Sequence, residues 1–499
     1  MSAELLHFTP RAELEHSANV SAFIDLCKQS SVLNARDQFA LNAWVLGHLK
    51  GQNKTNRVIF SSLEASKVNA PEPAMAQPFL DFSKALLVYL HDKRPVVSQA
   101  SRITALRCLE ASLRQWSKDS RPTAVNEDVL DTAVEMARNQ VSAAVAYRVA
   151  GQLELISELM ATKGFISLRQ PWSHGVKKPG ELGSRISEES LKAREEKLPS
   201  AAVLRALAGI FHQAREVPDV LVSSFTALML CAPERINEIL RLKRNCIVEG
   251  EGGFVGKLGL RWAGSKGAED TTKWLPSEMV PVAQKAIAKL LELTAPAQKI
   301  AEWYTANPKS LYLHGDATYL RHVEILTASD LALILWDDST NTDPAIAWAK
   351  AKAVPMQVLA KGRAGYRFED VERAVIAMLP ATFPYVPGAP ELMCKDALAV
   401  MRVGDNNPRH KTSVYMFTCV DHGTITNALG KEGRTSIFVR FGYTEDDGTP
   451  ITLKSHSLRH YLNMLAQMGG LSSAEIAIFS GRKDVSQNRV YDHMSVVVK

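Results

Sequence analysis

The chain has 499 residues, with 59 Lys+Arg against 53 Asp+Glu and a formal charge of +6. At roughly 100–200 residues per domain that length predicts two to four domains, and 46% hydrophobic residues exclude wholesale disorder. No apolar run reaches the roughly 18 residues of a spanning helix, and the mild charge permits a nucleic-acid partner without demanding one.

The opening MSAELLHFTPRAELEH lacks a charged-then-apolar signal pattern, which predicts a cytoplasmic chain. Residues 1–76 read as helical pieces around segments such as FALNAWVLGHL, ending at the breaker-rich NAPEPAMAQP, and form an N-terminal region of unassigned role. Residues 77–168 carry apolar positions at three- and four-residue spacing and predict a helical block. Its segment SRITALRCLEASLRQWSKDSR places Arg107, Arg114, Lys118 and Arg121 on one stripe, suited to phosphate contacts. Residues 169–199 lose the core-forming pattern to Pro, Gly, Ser and mixed charge, and predict a linker. Trp116, Trp172, Trp262 and Trp274 read as packing anchors.

From 200 onward the pattern is mixed. Helices AAVLRALAGIFHQA and VLVSSFTALMLCA lead into PERINEILRLK, followed by a predicted hairpin, FVGKLGLRWAG–SKGAED–TTKWLP. Another helix covers VAQKAIAKLLELTA; about 340–450 is rich in Pro, Gly and Asn and includes the polar loop MRVGDNNPRHKTS; helices are then predicted at 456–469, at 472–480 and around Tyr491. Six cysteines (Cys27, Cys108, Cys231, Cys246, Cys394, Cys419) are scattered without a CxxC pair, which argues for a reducing compartment and against a disulfide framework or cysteine zinc site. His456 and His460 stand at i and i+4, but no HExxH glutamate or third ligand accompanies them, so no metal is expected.

Four segments set polar groups in helical or hairpin contexts: APERINEILRL, SKG, HSLRH and SGRKDVSQNRVYDH. In order they supply Arg235, Lys266 on the hairpin turn, His456-x-x-Arg459, Gly481 and Tyr491, with Arg459 and Tyr491 separated by 32 positions. This ordered set resembles the tyrosine recombinase family, the phage integrase-type site-specific recombinases. The resemblance implies a mainly α fold with a small β-sheet: helical N-terminal and core-binding domains, and an α+β catalytic domain over 200–499. It also implies that 77–168 closes a DNA clamp with the catalytic domain.

The implied chemistry is metal-free opening of a DNA phosphodiester, with no cofactor. Tyr491 would form a 3′-phosphotyrosyl link, since a phenol of pKa near 10 also leaves well in the reverse step. Arg235 and Arg459 would clamp the phosphate and stabilise growing charge. Lys266 would protonate the leaving 5′-oxygen, His456 would contact phosphate or assist proton transfer, and Glu238 would orient the site. The implied partners are double-stranded DNA, further copies in a tetramer on paired sites, and a second recombinase or accessory protein. A mobile-element setting goes with them.

The chain departs from the family pattern in four ways. Arg482 follows Gly481 where the family usually carries His or Trp, although an Arg still donates to phosphate. Lys257 and Lys273 compete with Lys266 on the same hairpin. The 189 residues between Lys266 and His456 predict an insertion at about 340–450, and only eight residues follow Tyr491. Two further readings share the residues: a type IB topoisomerase, and a DNA-binding or assembly protein that keeps the fold with little turnover.

Overall fold

The computed structural model describes residues 6–11, 15–48, 55–65, 71–117, 119–179, 197–262, 271–407, 410–430, 435–472 and 476. It is mainly α with small antiparallel sheets, and divides into two compact units, the described residues up to 179 and those from 197 on.

The first unit is held by one core. Helices α1 (His16–Lys28), α2 (Phe79–Lys93), α3 (Ala100–Ser117), α4 (Glu127–Gln140) and α5 (Ala143–Thr162) surround it. Phe23 of α1 lies at its centre, 5.4 Å from Phe8, 6.2 Å from Phe82 and 5.0 Å from Phe165 between ring centroids. The N-terminal 76 residues therefore share their core with the helical block. A segment of that length buries too little surface alone, and its aromatics find partners on α2 and after α5. FALNAWVLGHL is not helical: β1 (Ala43–His48) pairs antiparallel with β2 (Thr55–Ile59). Trp44 turns inward and Val45 outward, the alternation of a half-buried strand. The predicted linker has no helix or strand over 169–179, and 180–196 lie outside the described residues.

The second unit contains two cores. α6 (Ala201–Gln213) starts at Ser200, whose hydroxyl accepts from the Val203 N–H at 3.1 Å, a stabilising N-cap. It packs on the apolar α7 (Val217–Cys231). The sheet β3 (Ile247–Glu249), β4 (Leu258–Trp262), β5 (Thr271–Trp274) is antiparallel with β4 in the middle. Helix α9 (Val280–Ala306; the short turn α8, Ile236–Ile239, lies before β3) passes from one core into the other. Ala283, Ala286, Ile287 and Leu290 join the first core, whereas Ala297, Ile300, Ala301 and Tyr304 join the second.

The second core draws on residues between Ala297 and Cys419; within that range Leu398, Ala399 and Met401 face the first core, to which Val420 and the buried residues up to Leu453 also belong. The region expected as an insertion at about 340–450 falls partly within this second core, which also takes in residues from 297 on; we term the body built on it the inserted body. It holds β6 (Ile325–Thr327), α10 (Ala328–Trp336), α11 (Asp343–Ala351), β7 (Met356–Val358), β8 (Ala364–Arg367) and α12 (Phe368–Ile376). Small pairs β9–β10 (Tyr385–Val386, Ala389–Met393) and β11–β12 (Val400–Arg402, Phe417–Cys419) follow. Finally α13 (Ser455–Met468) packs on α7.

All six cysteines are buried thiols. No helix among the described residues is long and apolar enough to cross a membrane. Trp262 is buried as expected of an anchor, whereas Trp116 is 55% exposed and donates to Thr132 Oγ1 at 2.8 Å.

Candidate phosphate-binding site

The site begins where α7 runs out. Ala232 is extended after Cys231, and the backbone re-enters a helix at Ile236 with Arg235 at the cap position. Glu238 lies three residues on, so its carboxylate folds back on that cap. The Arg235 backbone N–H donates to Oε2 and its guanidinium to Oε1, each at 2.8 Å. One carboxylate thus fixes both ends of Arg235, while about a quarter of that side chain stays exposed. The short helix exists to make this turn: a bare backbone N–H beside an apolar helix end would otherwise be orphaned.

Arg459 arrives from α13. It is fully buried, donates to the Pro233 carbonyl at 2.7 Å, and stands 3.7 Å from Glu238 Oε2. A buried guanidinium persists only when paired and hydrogen-bonded, and Glu238 with Pro233 supplies both. Segments 226 residues apart are thereby joined around one carboxylate. On the same helix His456 is exposed and His460 buried, their rings edge to face at 4.8 Å.

A second ion pair lies beneath. Lys273 of β5 pairs with Glu234, both almost fully buried. Burial pushes the Glu234 carboxyl up to about 8, with the neighbouring Glu238 carboxyl adding to the rise and Lys273 opposing it. Burial likewise lowers the Lys273 ammonium, with Glu234 opposing. The two values converge, so the proton is held less one-sidedly than in an exposed Lys–Glu pair. Fully ionised, Arg235, Arg459 and Lys273 exceed Glu234 and Glu238 by one positive charge, matched to a phosphodiester and short of its doubly charged transition state.

Sequence reasoning singled out Arg235, Glu238 and Arg459, which the fold brings together. It missed Glu234 altogether and ranked Lys273 behind Lys266. The available signal was strand alternation: Lys273 stands opposite Leu260, which is buried, and cross-strand partners share a face. Lys266, Arg482 and Tyr491 lie outside the described residues. Lys257 is exposed at the foot of the hairpin.

The basic stripe of the first unit is placed differently from the expectation. Arg107 donates to the backbone carbonyls of Ser61 and Ile59 at 3.1 and 2.8 Å. Arg114 lies between Glu64 and Glu110 at 2.9 and 2.8 Å, and Arg121 bonds Asp119 at 2.9 Å. Lys118 lies outside the described residues. Each of these three guanidiniums has acceptors within its own unit, with Arg107 and Arg114 partly buried and Arg121 68% exposed.

The loop after the site is stitched to the inserted body. Leu398 N–H donates to Leu242 O at 2.8 Å and Arg244 N–H to Asp396 O at 3.0 Å, while the buried Arg241 donates to Gly388 O. Among the described residues no group of three His, Cys, Asp or Glu side chains gathers as a metal site.

No protein-family model and no curated protein matches the chain. Among solved structures it is similar, at 10% identity and a TM-score of 0.36, to XerH site-specific recombinase bound to difH substrate in a pre-cleavage complex, with 98% of this chain and 97% of that one covered. It is also similar, at 10% identity and a TM-score of 0.39, to XerH bound to palindromic difH substrate in a post-cleavage complex, with 98% and 96% covered.

Proposed function

We propose that this chain is a site-specific DNA recombinase of the tyrosine type, cutting and rejoining strands through a 3′-phosphotyrosyl intermediate. The observation that carries the reading is the joining of Arg235 and Arg459 through Glu238. Two guanidiniums on one buried carboxylate form a preorganised cation pair that would neutralise the non-bridging oxygens of a phosphate.

In this reading the Tyr491 phenol gives up its proton, to His456 or to water, as its oxygen attacks phosphorus; the bond to the 5′-oxygen breaks and Lys266 protonates the departing oxygen. His456, exposed at the start of α13, contacts the phosphate or takes part in proton transfer, and Arg482 donates a further hydrogen bond. Lys273 stays in its buried pair with Glu234 and preserves the positive surplus. The ester energy is conserved in the protein–DNA link, so the chemistry calls for neither ATP nor a metal. The partner is double-stranded DNA, and strand exchange takes four copies on paired sites in the cytoplasm.

The test offers the protein duplexes nicked beside candidate cleavage positions, drawn from the flanks of its own gene. A denaturation-resistant protein–DNA adduct that is absent in Tyr491→Phe is the expected result. Arg235→Ala and Arg459→Ala should each slow adduct formation about 10²–10³-fold, the scale of losing one preorganised contact to a developing oxyanion. Wild-type rates in either arginine variant would show the site to be misassigned. Relaxation of supercoiled DNA by monomers without site preference would favour a topoisomerase instead.

A further inference from the structure

The inserted body contains a unit that the strand-transfer chemistry does not use. Its order is β6, α10, α11, β7, β8, α12, with the strands arranged β6-β8-β7. Two helices joined by a short connection and followed by a β-hairpin form a helix–turn–helix with a wing, an arrangement that presents its second helix to a DNA groove.

The local chemistry builds this arrangement. Thr327 and Asp330 close a reciprocal cap on α10: the Thr327 N–H donates to Asp330 Oδ2 at 2.9 Å and the Asp330 N–H to Thr327 Oγ1 at 3.2 Å. Helix α10 then buries Leu331, Ala332, Ile334 and Leu335. Asp337 ends it in the left-handed region at φ 56°. Helix α11 buries only Ala345 and Ala349, leaving Asp343, Ala347, Lys350 and Ala351 exposed along one face. Alanines on that face keep it low enough for a close approach. Lys361 and Gly362 turn the wing at φ 63° and 71°, so Lys361 and Arg363 project from its tip as exposed residues.

Charge separates the two sides of the unit. From β6 to α12 seven carboxylates stand against six cations, but the cations gather on α11 and the wing: residues 343–363 hold Lys350, Lys352, Lys361 and Arg363 against Asp343 alone. Lys350, Lys352 and Lys361 are exposed and, among the described residues, none of them pairs with a carboxylate. Several carboxylates elsewhere in the unit are engaged, Asp330 in the cap, Asp338 with Lys411 at 2.8 Å and Asp370 with Arg373 at 2.9 Å, while Asp337 and Glu369 stay exposed. Glu372 accepts the Leu311 N–H at 2.7 Å. Met356 and Val358 of the edge strand β7 are 58% and 73% exposed; apolar side chains beside cations suit a groove floor as well as its phosphates.

We propose that this unit is a second DNA-binding element, with α11 in the major groove and the wing cations on the adjoining backbone. Its contact is separate from the Arg235–Arg459 cluster. Asp343, repelled by phosphate, is suited to accept from a cytosine amino group in that groove.

The test measures binding of the full chain to a fluorescent 60-bp mixed-sequence duplex by anisotropy across a salt series. Lys352→Ala/Lys361→Ala/Arg363→Ala should flatten the slope of log K against log salt by about 2–3, at about 0.9 per lost phosphate contact. Its affinity should fall about tenfold or more near physiological salt. Ala347→Glu, a carboxylate on the exposed face of α11, should weaken binding at least as much. Both variants should still form the adduct on nicked duplex at saturating DNA. Wild-type slope and affinity in either variant would overturn the proposal. So would an unchanged slope accompanied by loss of self-association in Met356→Ser/Val358→Ser, which would assign the surface to protein. Loss of slope in a chain that never forms an adduct would leave this element standing and remove the recombinase reading.

Discussion

Two sets of cations, one in each unit, differ in their spacing and in what surrounds them. Arg107, Arg114 and Arg121 recur at helical spacing along and just beyond α3, yet each is satisfied by carbonyls or carboxylates of its own unit. Lys350, Lys352 and Lys361 show no such periodicity and stand exposed without an ionic partner among the described residues. A charged stripe therefore identifies a surface only after its internal acceptors are counted. A guanidinium with two carbonyls below it is part of the fold, while an ammonium with none is available to something outside.

Stability measurements can break this contrast. Arg107→Ala should cost about 2–3 kcal/mol in urea unfolding, since two carbonyls lose their donor and the buried stem its packing. Arg114→Ala should cost about 2 kcal/mol: the fully buried Glu110 loses its ion pair, a loss reduced because a third of Arg114 is already in water. Wild-type stability in both would mean that the stripe is free for DNA after all.

Glu234 supplies a pH test on a cation that is internally held, Lys273. Its folded-state value, about 8, lies above that of an unfolded carboxylate, so the folded chain binds the extra proton more tightly. The stabilisation from this group is fully present below the ordinary carboxylate range and is lost as pH rises through about 8. Urea midpoints should therefore fall between pH 5 and pH 8, and Glu234→Gln should flatten that fall. An unchanged slope in the variant would assign the pH dependence to other groups.

Smaller effects sharpen the other side. Thr327→Ala removes half of the reciprocal cap on α10 and should cost about 1 kcal/mol. Lys361→Ala should stay within about 0.5 kcal/mol of wild type, because nothing inside the protein depends on it. A larger loss in Lys361→Ala would show an internal partner and contradict the picture of an offered charge.

Much of the Arg235–Glu238–Arg459 cluster was legible because the proposed chemistry would force particular residues into order: Arg235 and Glu238 three apart, and Arg459 after His456. The helix carrying His456 and Arg459 was expected at 456–469 and spans Ser455–Met468. Glu234 gave no signal, since a carboxylate beside an arginine reads as surface until a buried lysine from a different strand meets it. Lys273 was visible only through alternation over four residues. The wing was illegible for the same reason: β6 and β7 have three residues each, too few for a period of two to show among Pro, Gly and Lys. FALNAWVLGHL misled in the opposite direction, its apolar run fitting a helix until Trp44 and Val45 divide between inside and outside.

Helix α9 also limits how the molecule can be reduced. Its 27 residues span about 40 Å at 1.5 Å per residue, and its two halves belong to different cores. Excising residues 307–396, most of the body around the second core, would leave Ile300 and Tyr304 without most of their apolar partners on a helix still anchored by Ile287 and Leu290. A minimal version of the chain therefore requires redesign of the distal half of α9 with polar residues, and any natural shortening would need the same compensating changes on that face.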